Sequence, residues 1–156
     1  MKKLYFMMSM IAVLAISAQA QTKEEVEFYQ AIFGMEKKAV VAEWITLEGE
    51  AANSFWTLYD EYESARKLHG QKRLGLLNRY ALQYESLDDA KTDQLMKDMI
   101  SLGKDYDKLI QKYYKSIRKT VGAKPAAQFY QLEVYFQNVI RLEILEQIPF
   151  IGEFDD

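Results

Sequence analysis

Residues 95–117 carry apolar side chains at a rhythm few folds tolerate. Leu95, Met99, Leu102, Tyr106, Leu109, Tyr113 and Ile117 follow one another at intervals of 4, 3, 4, 3, 4 and 4 residues. A strand would need alternation, whereas this spacing puts every member on one stripe of a helix. A second stripe repeats the rhythm with gaps: Phe55, Tyr59, Tyr62, His69, Leu76, Tyr80 and Gln83. Both are close to a 3.5-residue period, the pattern of two long helices packed side by side at a shallow angle. Helices of this length would reach roughly 50 Å at 1.5 Å per residue.

Few residues interrupt such helices. After residue 22 the prolines are Pro125 and Pro149, and no run of alternating Val, Ile and Thr appears. The chain therefore reads as all-α, an elongated bundle of about four helices built on a long antiparallel helical hairpin. The first helix is expected over about 23–44, with Gly34 its weakest point. The second runs from about Leu47 to Tyr84, with the Thr46 hydroxyl capping its free N–H groups. Ser86-Leu87-Asp88-Asp89 makes a turn and a new cap, and the third helix covers about 87–120. Val121-Gly122 breaks it. Pro125 suits the first turn of a fourth helix, which ends near Gln147.

The first 20 residues belong to a different category. Lys2 and Lys3 precede an apolar run from Leu4 to Ala15, and Ala18-Gln19-Ala20 supplies a small-x-small cleavage pattern. The run is shorter than the roughly 20 residues of a spanning helix. Residues 1–20 are thus read as a cleavable signal peptide, cut between Ala20 and Gln21, and 21–156 as a single helical domain exported to the periplasm. Loss of Lys2 and Lys3 takes the formal net charge from −3 to about −5. The chain has no cysteine, which excludes disulfides, thiol chemistry and thiolate zinc sites.

Catalytic and metal signatures are missing too. His69 is the one histidine, and it lies on the second stripe between Tyr62 and Leu76. Its neighbours at helical spacing are Ala65, Arg66, Lys72 and Arg73, which supply no ligand and oppose a cation. It reads as a rung on a helix face. No Gly-rich phosphate loop, nucleophile elbow or H-E-x-x-H motif is present. Glu133, Glu143 and Glu146 have the ordinary spacing of a solvated helix face. The reading is non-enzymatic, with no cofactor and no metal.

Charge is segregated along the chain. Residues 43–63 hold Glu43, Glu48, Glu50, Asp60, Glu61 and Glu63 without Lys or Arg; residues 108–124 hold Lys108, Lys112, Lys115, Arg118, Lys119 and Lys124 without an acid. If the two long helices fold back near residue 86, residue 60 lies opposite about 113. The acidic start then meets the basic end, and Arg66 and Lys67 meet Asp105 and Asp107. Internal complementarity is preferred over a nucleic-acid patch, because the exported chain is net acidic. The aromatic residues allow two readings. They fill a thin bundle, or some of them (Trp56, Tyr59, Tyr114 and Tyr135) form an exposed face that contacts other proteins.

Two segments carry a resemblance. ITLEGEAANSFWTLYDEYE (45–63) resembles the Leu-Thr-x-x-Gln/Glu helix start and F-W-x-L-Y-x-x-Y run of a group of small exported bacterial helical proteins. The motif positions are Thr46, Phe55, Trp56, Tyr59 and Tyr62. PAAQFYQLEVYFQNVIRLEILEQIP (125–149) resembles their last helix, through Phe129, Tyr130, Gln131, Leu132 and Glu133. Ile45 stands where the motif has Leu, and Gly49 where a Gln or Glu would close a capping box. That group is more distantly similar to the Spy/CpxP family, periplasmic helical-hairpin proteins with ATP-independent chaperone or envelope-stress roles. The resemblance implies a chaperone-like or envelope-stress protein that binds client proteins through an apolar and aromatic helical face, with self-association into a homodimer and no stable membrane insertion. The alternative is a regulatory or structural partner docking on an envelope sensor or membrane protein.

Overall fold

A computed structural model describes residues 23–153. The expected signal segment and its Ala20–Gln21 cleavage site lie outside them. The described chain is all-α: α1 (Lys23–Trp44), α2 (Gly49–Gln83), α3 (Asp89–Thr120) and α4 (Ala123–Gln147), with a short 3₁₀ turn at Tyr84–Ser86 before α3. Among the described residues there is no strand.

Each boundary has a local cause. α2 starts two residues later than expected, and Thr46 does not cap it. Glu48 occupies the cap position without a side-chain bond. Gly49 takes φ +59°, a left-handed turn that L side chains rarely adopt, and it sets the helix start beyond the reach of the Thr46 hydroxyl. α3 starts under Asp88, whose carboxylate accepts from the Lys91 N–H at 2.8 Å. It ends where the N–H groups of Val121 and Gly122 converge on the Ile117 carbonyl, at 2.8 and 3.3 Å. Gly122, at φ +115°, then turns the chain into α4. Pro125 sits in its first turn, where an N–H has no helical partner.

The chain forms two compact units. One is the continuous segment Leu47–Tyr130, comprising α2, α3 and the first part of α4. In it α2 and α3 run antiparallel: Tyr62 meets Tyr113, His69 meets Tyr106 and Arg79 bonds Asp98. The core is made of Phe55, Tyr59, Tyr62, Tyr106, Ile110, Tyr113, Ile117 and Phe129, with Leu95 and Tyr80 toward the turn. The α3 stripe is wider than its strict 3.5-residue reading. Met99 is 37% exposed and Ile110, off the stripe, is 1% exposed. Tyr113 and Ile117 stay buried on the stripe, and Ile110, four residues after Tyr106 and three before Tyr113, shares their side of the helix, so the buried face is broader than one line of positions.

The other unit combines α1 with the rest of α4 and the residues after it. Its buried side chains include Lys37, Val41, Ile45, Glu133, Phe136 and Gln137.

Candidate protein-binding surface

Within Leu47–Tyr130, Tyr59 and Tyr62 are the centre of a ring cluster. Phe129 stands edge-on to both, at 6.3 and 5.0 Å between centroids. Tyr113 closes on Tyr62 at 5.5 Å, and the Tyr62 and Tyr106 hydroxyls lie 3.3 Å apart. Edge-to-face contacts of this kind stabilise beyond the area they bury. Tyr59 is 0% exposed, so the expectation that it touches a client is corrected: its position in the α2 stripe makes it core. Trp56 is half-buried with its ring edge-on to Phe55 and Tyr59. Tyr114 is also half-buried and pairs with the exposed Tyr130 at 5.8 Å. Of the four candidate contacts only Tyr135 is exposed, at 43%. The motif positions divide the same way. Phe55, Tyr62, Phe129 and Glu133 are buried, whereas Thr46, Tyr130 and Gln131 are exposed and Leu132 half-buried.

His69 is a half-buried rung, as its stripe position implies. Its ring stands edge-on to Tyr106 at 5.5 Å. Arg73 lies over the same Tyr106 ring at 5.6 Å. Desolvation and the Lys72 charge hold the imidazole below its ordinary pKa, Asp105 opposes them, and Arg73 adds to the lowering. No group of three or more His, Cys, Asp and Glu residues among the described residues could hold a metal. An open cleft of about 350 Å³ runs beside this point between α2 and α3, where Lys72, Arg79, Asp98 and Asp105 interleave with Leu76 and Leu102. Arg79 and Asp98 pair across it, while Asp105 accepts from Lys108 on its own helix.

Arg66 and Asp105 form ion pairs within single helices. Arg66 bonds through Nε to both carboxylate oxygens of Glu63, at 2.9 and 3.0 Å, within α2. Both residues are buried. Burial opposes the charged guanidinium, but the Glu63 carboxylate outweighs it and raises the Arg66 pKa, with Tyr106 and Tyr62 adding to the effect. Asp105 accepts from Lys108 within α3. Lys115, Arg118, Lys119 and Lys124 are exposed and make no ion pair among the described residues. The antiparallel register, with Tyr62 beside Tyr113, still runs the acidic start of α2 alongside the basic end of α3. Long cationic side chains at a helix end gain little from an exposed pair and extend into water instead.

The other unit holds an ion pair that the sequence reading missed. Lys37 Nζ lies 2.6 Å from Glu133 Oε2, both side chains are 0% exposed, and the ammonium stands 5.5 Å from the Phe136 ring centroid. The signal was present in the spacing. Lys37 falls four residues after Phe33 and four before Val41; Glu133 falls four after Phe129 and three before Phe136. Each is a lone charge on an apolar stripe, and the signs are opposite.

The same unit exposes much apolar surface. Met35 is 65% exposed, Trp44 63%, Leu142 59%, Leu145 47% and Phe150 68%. On α4, Tyr135, Leu142 and Leu145 share one face at 100° per residue. Beyond the helix, residues 150–153 close a turn: the Glu153 N–H donates to the Phe150 carbonyl at 3.0 Å, and the Phe150 N–H donates to the Glu153 carboxylate at 2.7 Å. Gly152 takes φ +79°, as the third position of a type II turn requires. Among the described residues no helix is long and apolar enough to cross a membrane. No protein-family model, curated protein or solved structure matches this chain.

Proposed function

We propose that this protein is an ATP-independent, chaperone-like or envelope-stress protein of the periplasm that binds exposed apolar segments of client proteins. The observation that carries the reading is the exposed apolar surface of the α1–α4 unit. Met35, Trp44, Tyr135, Leu142 and Leu145 face solvent there. Large apolar side chains scattered singly need no explanation; a face of them on one helix does. Binding of this kind needs neither cofactor nor nucleotide. The contact residues of the reading are Trp44, Tyr135, Leu142 and Leu145 rather than Trp56, Tyr59 and Tyr114.

The test is suppression of aggregation. The purified protein is titrated, without ATP, into a refolding, aggregation-prone protein while light scattering is followed. Suppression near equimolar ratio is expected, and Leu142→Ser with Leu145→Ser should lose it at unchanged helicity. A well-folded wild-type protein that suppresses nothing would sink the reading. The alternative, docking on an envelope sensor or membrane protein, draws on the preformed Phe150–Glu153 turn, and a pull-down from envelope extracts addresses it.

A further inference from the structure

The outer side of α3 carries a continuous line of lysines. Lys104, Lys108, Lys112, Lys115 and Lys119 follow one another at intervals of 4, 4, 3 and 4 residues. At about 100° per residue they share one face, and all of them are exposed. Tyr106, Ile110, Tyr113 and Ile117 are buried on the opposite side of the helix. We propose that this lysine face lies on the surface of an anionic phospholipid bilayer, held at the headgroups without insertion. The inference stays within the Leu47–Tyr130 unit and does not rest on client binding.

The line is not neutralised from inside the molecule. Lys108 pairs with Asp105 at 3.2 Å. Lys104, Lys112, Lys115 and Lys119 form no ion pair among the described residues, although the acidic start of α2 runs alongside. Lys112 stands over the Tyr113 ring at 5.2 Å, a contact that steadies the ammonium and leaves its charge in place. The helix dipole favours cations in the last turn, where Arg118 and Lys119 lie. Lys104, Lys112 and Lys115 lie farther back, and like charges at this spacing oppose one another along a helix. A line of this kind in a net-acidic chain points to an anion outside it.

The form of the line selects the anion. From Lys104 to Lys119 it runs for about 22 Å at 1.5 Å per residue. A plane of headgroups meets such a line along its whole length, and flexible lysine stems let each ammonium settle at its own depth. Tyr114 and the exposed Tyr130, edge to face at 5.8 Å, flank the line. Tyrosine suits the border of a lipid surface, with its ring toward the headgroups and its hydroxyl in water. Nucleic acid fits less well, because no aromatic ring stands among these lysines for a base to stack on.

Flotation with vesicles tests this. The purified protein is expected to float with phosphatidylglycerol vesicles at low salt, to be released at high salt and to ignore phosphatidylcholine vesicles. Each lysine removed should weaken partitioning about fivefold, so Lys112→Gln with Lys115→Gln should lose about 25-fold at unchanged helicity. Lys72→Gln with Arg141→Gln removes the same charge away from the line and should stay within about twofold of wild type. A folded protein that does not float at low salt overturns the proposal. Equal loss in the two double variants also overturns it, by assigning the effect to net charge. So does flotation that survives both high salt and the loss of Lys112 and Lys115, which would assign it to exposed apolar side chains. Tighter binding to a single-stranded oligonucleotide than to phosphatidylglycerol vesicles would assign the line to nucleic acid and overturn it as well.

Discussion

At the scale of single residues, charges inside the protein carry the sharpest consequences. Lys37 and Glu133 are fully buried against each other. Removing one partner leaves the other charged in an apolar setting. Lys37→Met or Glu133→Gln alone should therefore destabilise by about 3–5 kcal/mol, whereas Lys37→Met with Glu133→Leu should recover most of it, because an apolar pair avoids desolvating two ions. Urea unfolding of the three variants measures this, and equal losses in single and double variants would refute it. His69 predicts a pH effect. Its folded pKa lies below the ordinary 6.5, chiefly through desolvation and Lys72. Above pH 6.5 both folded and unfolded forms are neutral. As the pH falls from 6.5 toward the folded pKa, the unfolded chain takes up a proton first and stability is lost. His69→Gln should flatten the stability–pH curve in that window. At lower pH, Asp98 acts in the same direction. Its hydrogen bond from Arg79 lowers its pKa, so its contribution is present above the unfolded value and lost as pH falls through the folded one.

At the scale of elements, the junctions decide where helices stop. α3 passes into α4 through Gly122 at φ +115°, with nothing within 4 Å of an added Cβ. Gly122→Ala should therefore cost about 1–3 kcal/mol from backbone strain alone. Denaturant unfolding with an unchanged m-value would show that strain, and a neutral result would place the residue elsewhere in conformational space. The helices themselves were legible from the stripes at 55–83 and 95–117 and from Pro125, since 3.6-residue periodicity and a missing N–H act locally. The start of α2 was less so. Thr46 is a good cap former, yet the left-handed Gly49 decides the boundary, and a preference for positive φ is optional for glycine until its surroundings require it.

At the scale of the whole molecule, the rings sort into core and surface, and substitution should separate them. Tyr59→Ala removes a fully buried ring and should cost about 3–5 kcal/mol, unfolding rather than selectively blinding the protein. Tyr135→Ala and Leu142→Ser, on the exposed face of α4, should change stability within about ±0.5 kcal/mol. Thermal unfolding compared with the aggregation assay would show whether stability and binding part company in this way. The helical class, the approximate bounds of the helices, the stripe position of His69 and the segregation of charge are legible in the chain alone. Those follow from periodicity and composition, which each segment carries alone. Packing between helices settles that Tyr59 is core while Trp44 is exposed, that Arg66 bonds Glu63 within α2, and that Lys37 meets Glu133. A residue's burial and its partner depend on which face of another helix arrives beside it, and residues 37 and 133 are joined by packing between distant segments, not by any local rule.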